Sequence, residues 1–145
     1  MPMDFRPATP SDASELLRLN AAFNGPPSQT LAATREALAH PGAERVFVAQ
    51  PCQGDRLAGF CCCQLKRSFC YPEPSCEVTE FYVDPPYRRQ GVGRGLMAQV
   101  FRLCQEEGAA ELSLLTGGDN QAAQAFYSSL GFRPSGELHM SSEQP

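Results

Sequence analysis

Hydrophobic and polar residues follow two different periods along the chain, and the changes between them divide it into strands and helices. Alternation with a period of two, or a short continuous apolar run, predicts strands at residues 3–6, 46–49, 57–65, 77–83 and 111–116. Apolar residues spaced by three and four predict four helices. The first is capped by residues 9–12 and reaches about Phe23, the second covers 30–39, the third follows a glycine-rich turn and ends at Gly108, and the fourth runs from Asn120 to Leu130.

Two segments interrupt these patterns with prolines and glycines, at residues 23–27 and 66–75, and we interpret both as loops. The mixture of strands and helices predicts the α/β (α+β) class. With 145 residues and 42% hydrophobic content, the chain is of the size of a single domain, over residues 1–145.

A turn with the features of an anion-binding site follows the fourth predicted strand. The strand stops at Asp84-Pro85-Pro86, because proline cannot donate to a sheet ladder. The pattern Arg-x-x-Gly-x-Gly comes next, at Arg88, Gly91 and Gly93. Glycines let the backbone turn its N–H groups toward a ligand, and the following helix adds partial positive charge at its N-terminus. The spacing fits neither the dinucleotide fingerprint nor the nucleoside triphosphate loop, and a pyrophosphate would suit the site.

Three blocks together resemble the GNAT superfamily of acyl-CoA-dependent N-acyltransferases: Glu80-Phe81-Tyr82-Val83, then Arg88-Arg89-Gln90-Gly91-Val92-Gly93, and later Asn120 with Ala125-Phe126-Tyr127 and Leu130-Gly131-Phe132. The resemblance covers about residues 5–140. It implies a mixed, splayed β-sheet flanked by helices in the order β-α-α-β-β-β-α-β-α-β, with acetyl-CoA as co-substrate. After Phe132 the chain departs from the family, which usually has two further strands there, so the closing hairpin is expected to be abbreviated or completed by a partner subunit.

The resemblance also implies roles for single residues. Glu80 is expected to be the general base, directly or through water, although Glu77 and Glu73 compete for this role. Tyr127 matches the position that protonates the departing thiolate. Asn120 matches the residue that hydrogen-bonds the pantetheine arm, and it would serve equally well as a helix cap.

The remaining implied contacts concern the cofactor and the acceptor. Backbone groups of Phe81 and Val83 would hold the pantetheine amides and polarise the acetyl carbonyl, and the turn would hold the pyrophosphate. The expected cofactor-binding residues are Phe81, Tyr82, Val83, Arg88, Arg89, Gln90, Gly91, Val92, Gly93, Arg94, Gly95 and Asn120. The two loops flank the acceptor cleft in the family, and their expected substrate-binding residues are Phe23, Phe69, Tyr71 and Glu73.

Composition indicates which kinds of partner, compartment and metal site to expect. The net charge of -4 argues against nucleic acid and favours a cationic substrate. Residues 1–6 lack the layout of a signal peptide and no apolar run is long enough for a membrane span, so we expect a cytoplasmic protein. The seven cysteines, including Cys61-Cys62-Cys63, show no zinc-site spacing, and we expect no metal and small buried thiols in a strand.

These observations lead to one favoured function and two alternatives. The favoured one is transfer of an acetyl group from acetyl-CoA to a primary amine of a small molecule, such as a polyamine, an aminoglycoside-like compound or an amino acid. The alternatives are acetylation of protein N-termini or lysines, and a non-catalytic acyl-CoA-binding module. A homodimer is possible by the same resemblance. The sequence names neither the acceptor nor the acyl chain.

Overall fold

A computed structural model describes residues 2–144, which fall into two compact units, one ending at Leu114 and the other beginning at Leu115. The first unit contains β1 (Met3–Pro7), α1 (Ala13–Asn24), α2 (Leu31–Ala39), β2 (Glu44–Pro51), β3 (Gly59–Lys66), β4 (Ser75–Val83), α3 (Val92–Glu107) and β5 (Glu111–Leu114). The second contains α4 (Gln121–Ser129). The prediction of a single domain over residues 1–145 stays a prediction.

The five strands form one sheet in the order β1-β2-β3-β4-β5. The first four are antiparallel neighbours, and β5 lies parallel to β4. The α/β class and the mixed sheet are thereby confirmed. The register of β5 covers only the first four residues of β4, Ser75–Val78, so the ladder between these two strands ends halfway along β4. This agrees with the expected splayed sheet.

Helices cover both faces of the sheet. On one face, Leu16 and Leu19 of α1 pack with Val48, Phe60 and Tyr82 in a buried cluster. On the other face lies α3, whose buried residues are Val92, Leu96, Met97, Val100 and Leu103. Strand β3 is covered on both sides, and this explains why its sequence is apolar from Gly59 to Cys63 without alternation.

A β-bulge in β4 decides which side chains reach each face. Glu80 pairs with Cys62 but Val78 pairs with Cys63, so Thr79 is an extra residue in β4, and its hydroxyl donates to the Cys62 carbonyl at 3.3 Å. Without the bulge, Val78 and Glu80 would share a face. With it, Val78 lies beside Cys63 on the α3 side and Glu80 lies beside Cys62 on the α1 side.

The expected strand after the last helix is absent from the described residues, because no strand follows Ser129 up to residue 144. The predicted order of elements is therefore wrong in its final β. Arg133-Pro134 explains part of the difference, since the proline offers no backbone donor to a ladder. The segment 133–144 is otherwise polar apart from Leu138 and Met140, both of which are exposed.

The second unit is organised around α4. Asn120 caps the helix, its Oδ1 accepting from the Ala123 N–H at 3.1 Å. At the other end the Phe132 N–H donates to the Tyr127 carbonyl and the Gly131 N–H to the Ser128 carbonyl, the bond pattern of a Schellman motif. Gly131 has φ = +97°, which the motif requires. This turn packs the Phe132 ring against the Tyr127 ring, with 5.9 Å between ring centroids. The pattern Tyr-x-x-Leu-Gly-Phe thus supplies the two rings and the glycine that the turn needs.

Candidate active site

A cleft of about 420 Å³ lies between the sheet and the helices α1 and α2. The sheet contributes Glu44, Val46, Phe60, Cys62 and Glu80 to its lining. Apolar side chains of the two helices line one part of the opposite wall, and amide and hydroxyl groups of Asn20, Asn24, Gln29 and Thr34 line another. The cleft therefore offers two carboxylates, an apolar surface and several neutral hydrogen-bonding groups.

The register places the two carboxylates on the same face. Val46, Cys62 and Glu80 form a row across β2, β3 and β4. Glu44 precedes Val46 by two residues and so faces the same way. Glu80 shares this face with Tyr82, which follows it by two residues in β4. Glu44 was not predicted, because its strand was expected to begin only at Val46, although extending the alternation back by two residues would have indicated it.

These two carboxylates differ from the others that the fold shields from solvent. Seven carboxylate side chains among residues 2–144 are buried or half-buried. Five lie within salt-bridge distance of a cation: Asp12–Arg6, Glu15–Arg18, Asp84–Arg18, Glu77–Lys66 and Glu107–Arg67. No such pair is found in this part of the chain for Glu44 or Glu80. Burial, and then the nearby charge of Glu80, raise the pKa of Glu44.

The competing carboxylates Glu77 and Glu73 are placed elsewhere. Glu77 shares β4 with Glu80 but is paired with Lys66 at 3.1 Å, and Glu73 is exposed in the loop before β4. Neither lines the cleft. The geometry therefore favours Glu80 among the three.

Cys62 lies between Val46 and Glu80 in the row. Its thiol is buried, and burial followed by the Glu44 charge raises its pKa well above the ordinary value. A neutral thiol is a poor nucleophile. Cys61 and Cys63 face the other side, as expected from strand alternation, and burial raises the pKa of Cys61 to about 12. Among the described residues no group of three or more histidine, cysteine or acidic side chains is placed to hold a metal ion.

The expected acceptor-binding residues fall into two groups. Phe23 contacts the cleft wall, with its ring centroid 6.3 Å from Phe60 and 5.2 Å from Tyr82. Phe69, Tyr71 and Glu73 do not line the cleft, and the two aromatic side chains of this loop are 101% and 71% exposed. Their contribution to substrate binding stays a prediction.

The turn between β4 and α3 has the backbone expected of an anion-binding loop. Gly91, the N-cap of α3, has φ = +81°, and Arg89 has φ = +61°, the only non-glycine positive φ among the described residues. A left-handed arginine costs about 1 kcal/mol and is typical of functional loops. The first helical bond is from the Gly95 N–H to the Gly91 carbonyl, and no side chain caps the helix. The N–H groups at the start of α3 therefore point toward an anion-binding position.

Several expected cofactor residues have structural roles as well. Arg88 donates from Nε to the Val83 carbonyl at 2.8 Å and lies over the Tyr82 ring, and Gln90 donates to the Pro86 carbonyl. Gly95 is needed for packing, because a Cβ there would lie 2.0 Å from the Phe5 ring. Arg89 and Arg94 are exposed. The turn fits a pyrophosphate through its backbone and its helix terminus, with arginines nearby.

Two of the expected site residues belong to the second unit. Asn120 is a helix cap, which was the alternative expectation for it. Tyr127 is half-buried, with its ring 5.5 Å from Phe126 and 5.9 Å from Phe132 between centroids. This aromatic packing fixes the orientation of the phenol on α4.

Comparison with known proteins identifies the family. The acetyltransferase (GNAT) family model matches residues 13–132. The ribosomal protein bS18 alanine N-acetyltransferase of Escherichia coli (strain K12) is 33% identical over 103 residues, 68% of each chain. Among solved structures, the Trypanosoma brucei acetyltransferase Tb11.01.2886 has a TM-score of 0.86 at 20% identity, with 98% of this chain and 99% of that one covered. AAC(6')-Iy in complex with a CoA bisubstrate analogue has a TM-score of 0.85 at 21% identity, with both chains covered completely.

The two structural neighbours establish the fold, and the family model with the bacterial relative establishes the class of enzyme. No helix within residues 2–144 is both long and apolar enough to cross a membrane. The chain belongs to the GNAT family of acetyl-CoA-dependent N-acyltransferases.

Proposed function

We propose that the chain transfers the acetyl group of acetyl-CoA to a primary amine of a small molecule, by direct attack of the amine on the thioester. The proposal is carried by Glu80, a half-buried carboxylate that lines the cleft and has no ion-pair partner among the described residues. It lies on the strand that leads into the anion-binding turn, so a base and a cofactor-binding loop adjoin the same stretch of backbone.

Glu80 fits the role of general base because an alkyl ammonium cannot attack a thioester. With a pKa near 10.4, less than about 1% of such an amine is neutral at pH 7. The Glu80 carboxylate takes a proton from the ammonium, directly or through one water, and the freed lone pair forms the new C–N bond. A carboxylate without a paired cation is available for this proton.

The cofactor is proposed to lie along the second half of β4 and the following turn. Backbone groups from Phe81 to Val83 would bind the pantetheine arm, and the N–H groups of residues 90–95 with Arg88, Arg89 and Arg94 would bind the pyrophosphate. Asn120 is proposed to reach the pantetheine with its amide nitrogen, since its Oδ1 caps α4. When bound, acetyl-CoA supplies an activated carbonyl and a thiolate leaving group.

Tyr127 is proposed as the general acid. As the C–S bond breaks, its phenol donates a proton to the thiolate, and the phenolate takes up the second proton that the nitrogen loses when the amide forms, so that Tyr127 is restored. Its packing between Phe126 and Phe132 supports the role, because a fixed phenol loses little freedom in the transition state. Tyr127→Phe should lower turnover and leave CoA binding intact, and unchanged turnover would remove Tyr127 from the mechanism.

Acetylation of protein N-termini is the second candidate, and lysine acetylation would need the same chemistry. It is favoured by the relative from Escherichia coli, whose name describes a ribosomal protein alanine N-acetyltransferase. A cleft of about 420 Å³ is also large enough for an N-terminal residue and its neighbour. The two candidate acceptors share the reacting amine and differ in the rest of the molecule, which is a small compound in the first and a polypeptide chain in the second.

The test is detection of products by mass spectrometry after incubation with acetyl-CoA and a panel of polyamines, aminoglycosides, amino acids and N-terminal peptides. Thiol-reactive dyes are unsuitable because the chain has seven cysteines. A small amine that gains one acetyl group supports the proposal. Acetylation confined to peptides would overturn it in favour of the second candidate.

A further inference from the structure

We propose that Glu44 binds a second ammonium group of the acceptor, one that keeps its proton during the reaction, so that the enzyme selects amines that carry two cationic nitrogen atoms. The inference rests on the proposed function and narrows its substrate class. It concerns a residue outside the three sequence blocks of the family and on a different strand from the proposed base.

The first step is the charge of the cleft. The fold supplies a cation to each of the five other shielded carboxylates described above, and supplies none within residues 2–144 to the two that line the cleft. Two like charges that repel each other in a partly desolvated cleft are destabilising unless a cation binds there. Burial first, and then the charge of Glu80, raise the pKa of Glu44.

The second step is the balance of protons during the reaction. The reacting nitrogen gives its proton to Glu80 and becomes neutral, so R–NH₃⁺ and a carboxylate become R–NH₂ and a carboxylic acid. That nitrogen cannot also neutralise Glu44 in the transition state. A second nitrogen that keeps its proton throughout does so, and its hydrogen bond to a carboxylate is of the strong, charge-assisted kind.

The third step is distance. Two strand spacings and two residues along β2 put the Cα atoms of Glu44 and Glu80 roughly 12 Å apart. Two glutamate side chains that reach toward each other leave room for a short diamine between them. The side chains of Val46 and Cys62 lie on the same sheet face in the row of Glu80, next to Glu44, and suit the carbon spacer. A carboxylate next to the reacting amine, as in an α-amino acid, would be repelled there.

The test compares four-carbon acceptors that differ in the second charge, together with one cyclic diamine and one peptide. Wild-type enzyme, Glu44→Gln and the control Glu106→Gln, an exposed residue of α3, are assayed with butane-1,4-diamine, butylamine, 4-aminobutyrate, 2-deoxystreptamine and an alanyl tripeptide. We expect wild-type kcat/KM for the diamines to exceed that for butylamine at least tenfold. Glu44→Gln should lower kcat/KM for diamines about tenfold or more, mainly through KM, and change butylamine less than threefold. The ratio of kcat/KM for butane-1,4-diamine to that for 2-deoxystreptamine then shows whether linear polyamines or aminosugar-like acceptors are preferred.

The outcomes distinguish the two proposals. If butylamine and the diamines are acetylated equally well, or if Glu44→Gln keeps the preference for diamines, the role of Glu44 is overturned and the proposed function stands. If the tripeptide is preferred to every small amine, both are overturned. If Glu44→Gln fails to fold, Glu44→Asp and calorimetric titration of wild type with butane-1,4-diamine and with butylamine decide, because the inference requires tighter binding of the diamine.

Discussion

The carboxylates where α1 meets the sheet and those in the cleft are all shielded from solvent, but only the first group is paired with cations among the described residues. Asp12 is only 8% exposed, and its two oxygens accept from both terminal nitrogens of Arg6, at 2.8 and 2.9 Å, and from the Thr9 N–H at 2.8 Å. Burial alone would raise the pKa of Asp12, but these hydrogen bonds outweigh it and the pKa is lowered. Glu44, in contrast, gains no cation from the described residues and its pKa is raised.

The same helix has a second satisfied group near its middle. Arg18 bonds Glu15 at 2.9 Å, Asp84 at 3.2 Å and the Leu57 carbonyl at 3.1 Å, and Glu15 also accepts from the Leu57 N–H. This network ties α1 to the segments just before β3 and just after β4. The difference teaches that this fold can provide cations to shielded carboxylates. That none is paired with Glu44 or Glu80 within residues 2–144 supports the proposed binding of a cationic acceptor between them.

The largest effect is expected from Glu80→Gln, which removes the base without changing the shape of the cleft. We expect kcat to fall by about 10²–10⁴-fold, the usual contribution of general base catalysis, with acetyl-CoA affinity unchanged. Steady-state kinetics and calorimetric CoA binding measure the two quantities. Glu77→Gln is the matched control on the same strand, and its kcat should stay within about twofold because Glu77 is held by Lys66. An equal loss of kcat in the two variants would contradict the proposed difference in function between Glu77, which is paired with Lys66, and Glu80, which lines the cleft.

The next largest effect is expected from Asp12→Asn, which removes the negative charge that is hydrogen-bonded to Arg6 and Thr9. Loss of its charge-assisted hydrogen bonds should lower the free energy of unfolding by about 2 kcal/mol, measured by urea denaturation. Asp4→Asn provides the control, since Asp4 approaches the same Arg6 only at 3.8 Å and its side chain is 58% exposed. We expect a change below about 0.5 kcal/mol there. A stability loss of the same size in both variants would show that the burial of Asp12 does not matter.

Most of the fold followed from periodicity, because local patterns in this chain agree with the tertiary structure. The five strands and four α-helices described within residues 2–144 are all among those predicted. Asn120 caps α4, the alternative expected for it, and Thr30 caps α2 instead of being its first residue. Strand ends were harder to predict. β2 extends beyond 46–49 to Glu44–Pro51, because pairing with β1 and β3 includes polar residues that the apolar pattern excludes.

The site was only half predictable. Motifs indicated Glu80 and the glycine turn, since both depend on residues close together in the sequence. Glu44 enters the cleft through strand pairing with distant residues, and the bulge at Thr79 that turns Glu80 toward it leaves no clear local signal. The helices that supply the opposite wall, from Leu16 to Leu38, are likewise brought there by packing on the sheet.

The comparison predicts opposite responses to acid. The pKa values of Asp12 and Glu15 are lowered, so their stabilising contribution is complete above the unfolded-state pKa, near 4, and is lost as the pH falls through the folded-state pKa. The urea midpoints of wild type and Asp12→Asn should therefore differ at pH 7 and converge toward pH 3. Parallel curves over this range would contradict the assignment of the lost stability to the ionised Asp12.

The smallest effect is expected from Glu44→Gln on stability, and it has the opposite sign. Because the folded-state pKa of Glu44 is raised, its ionised form is disfavoured by folding. The associated stability is complete below the unfolded-state pKa and is lost as the pH rises through the folded-state pKa. Removing the charge should therefore stabilise the protein at pH 7, by about 0.5 kcal/mol after allowance for solvent screening, and by nothing at low pH.

Thermal unfolding with and without a diamine makes this last prediction sharper. Butane-1,4-diamine at saturating concentration should raise the Tm of wild type, because a ligand that binds only the folded state stabilises it by mass action. Without ligand, Glu44→Gln should have a slightly higher Tm than wild type. Its Tm should rise less with the same diamine, so that the two Tm values converge or reverse their order. A Tm that falls in the unliganded variant would mean that Glu44 stabilises the fold, as Asp12 does, and would place it with the paired carboxylates.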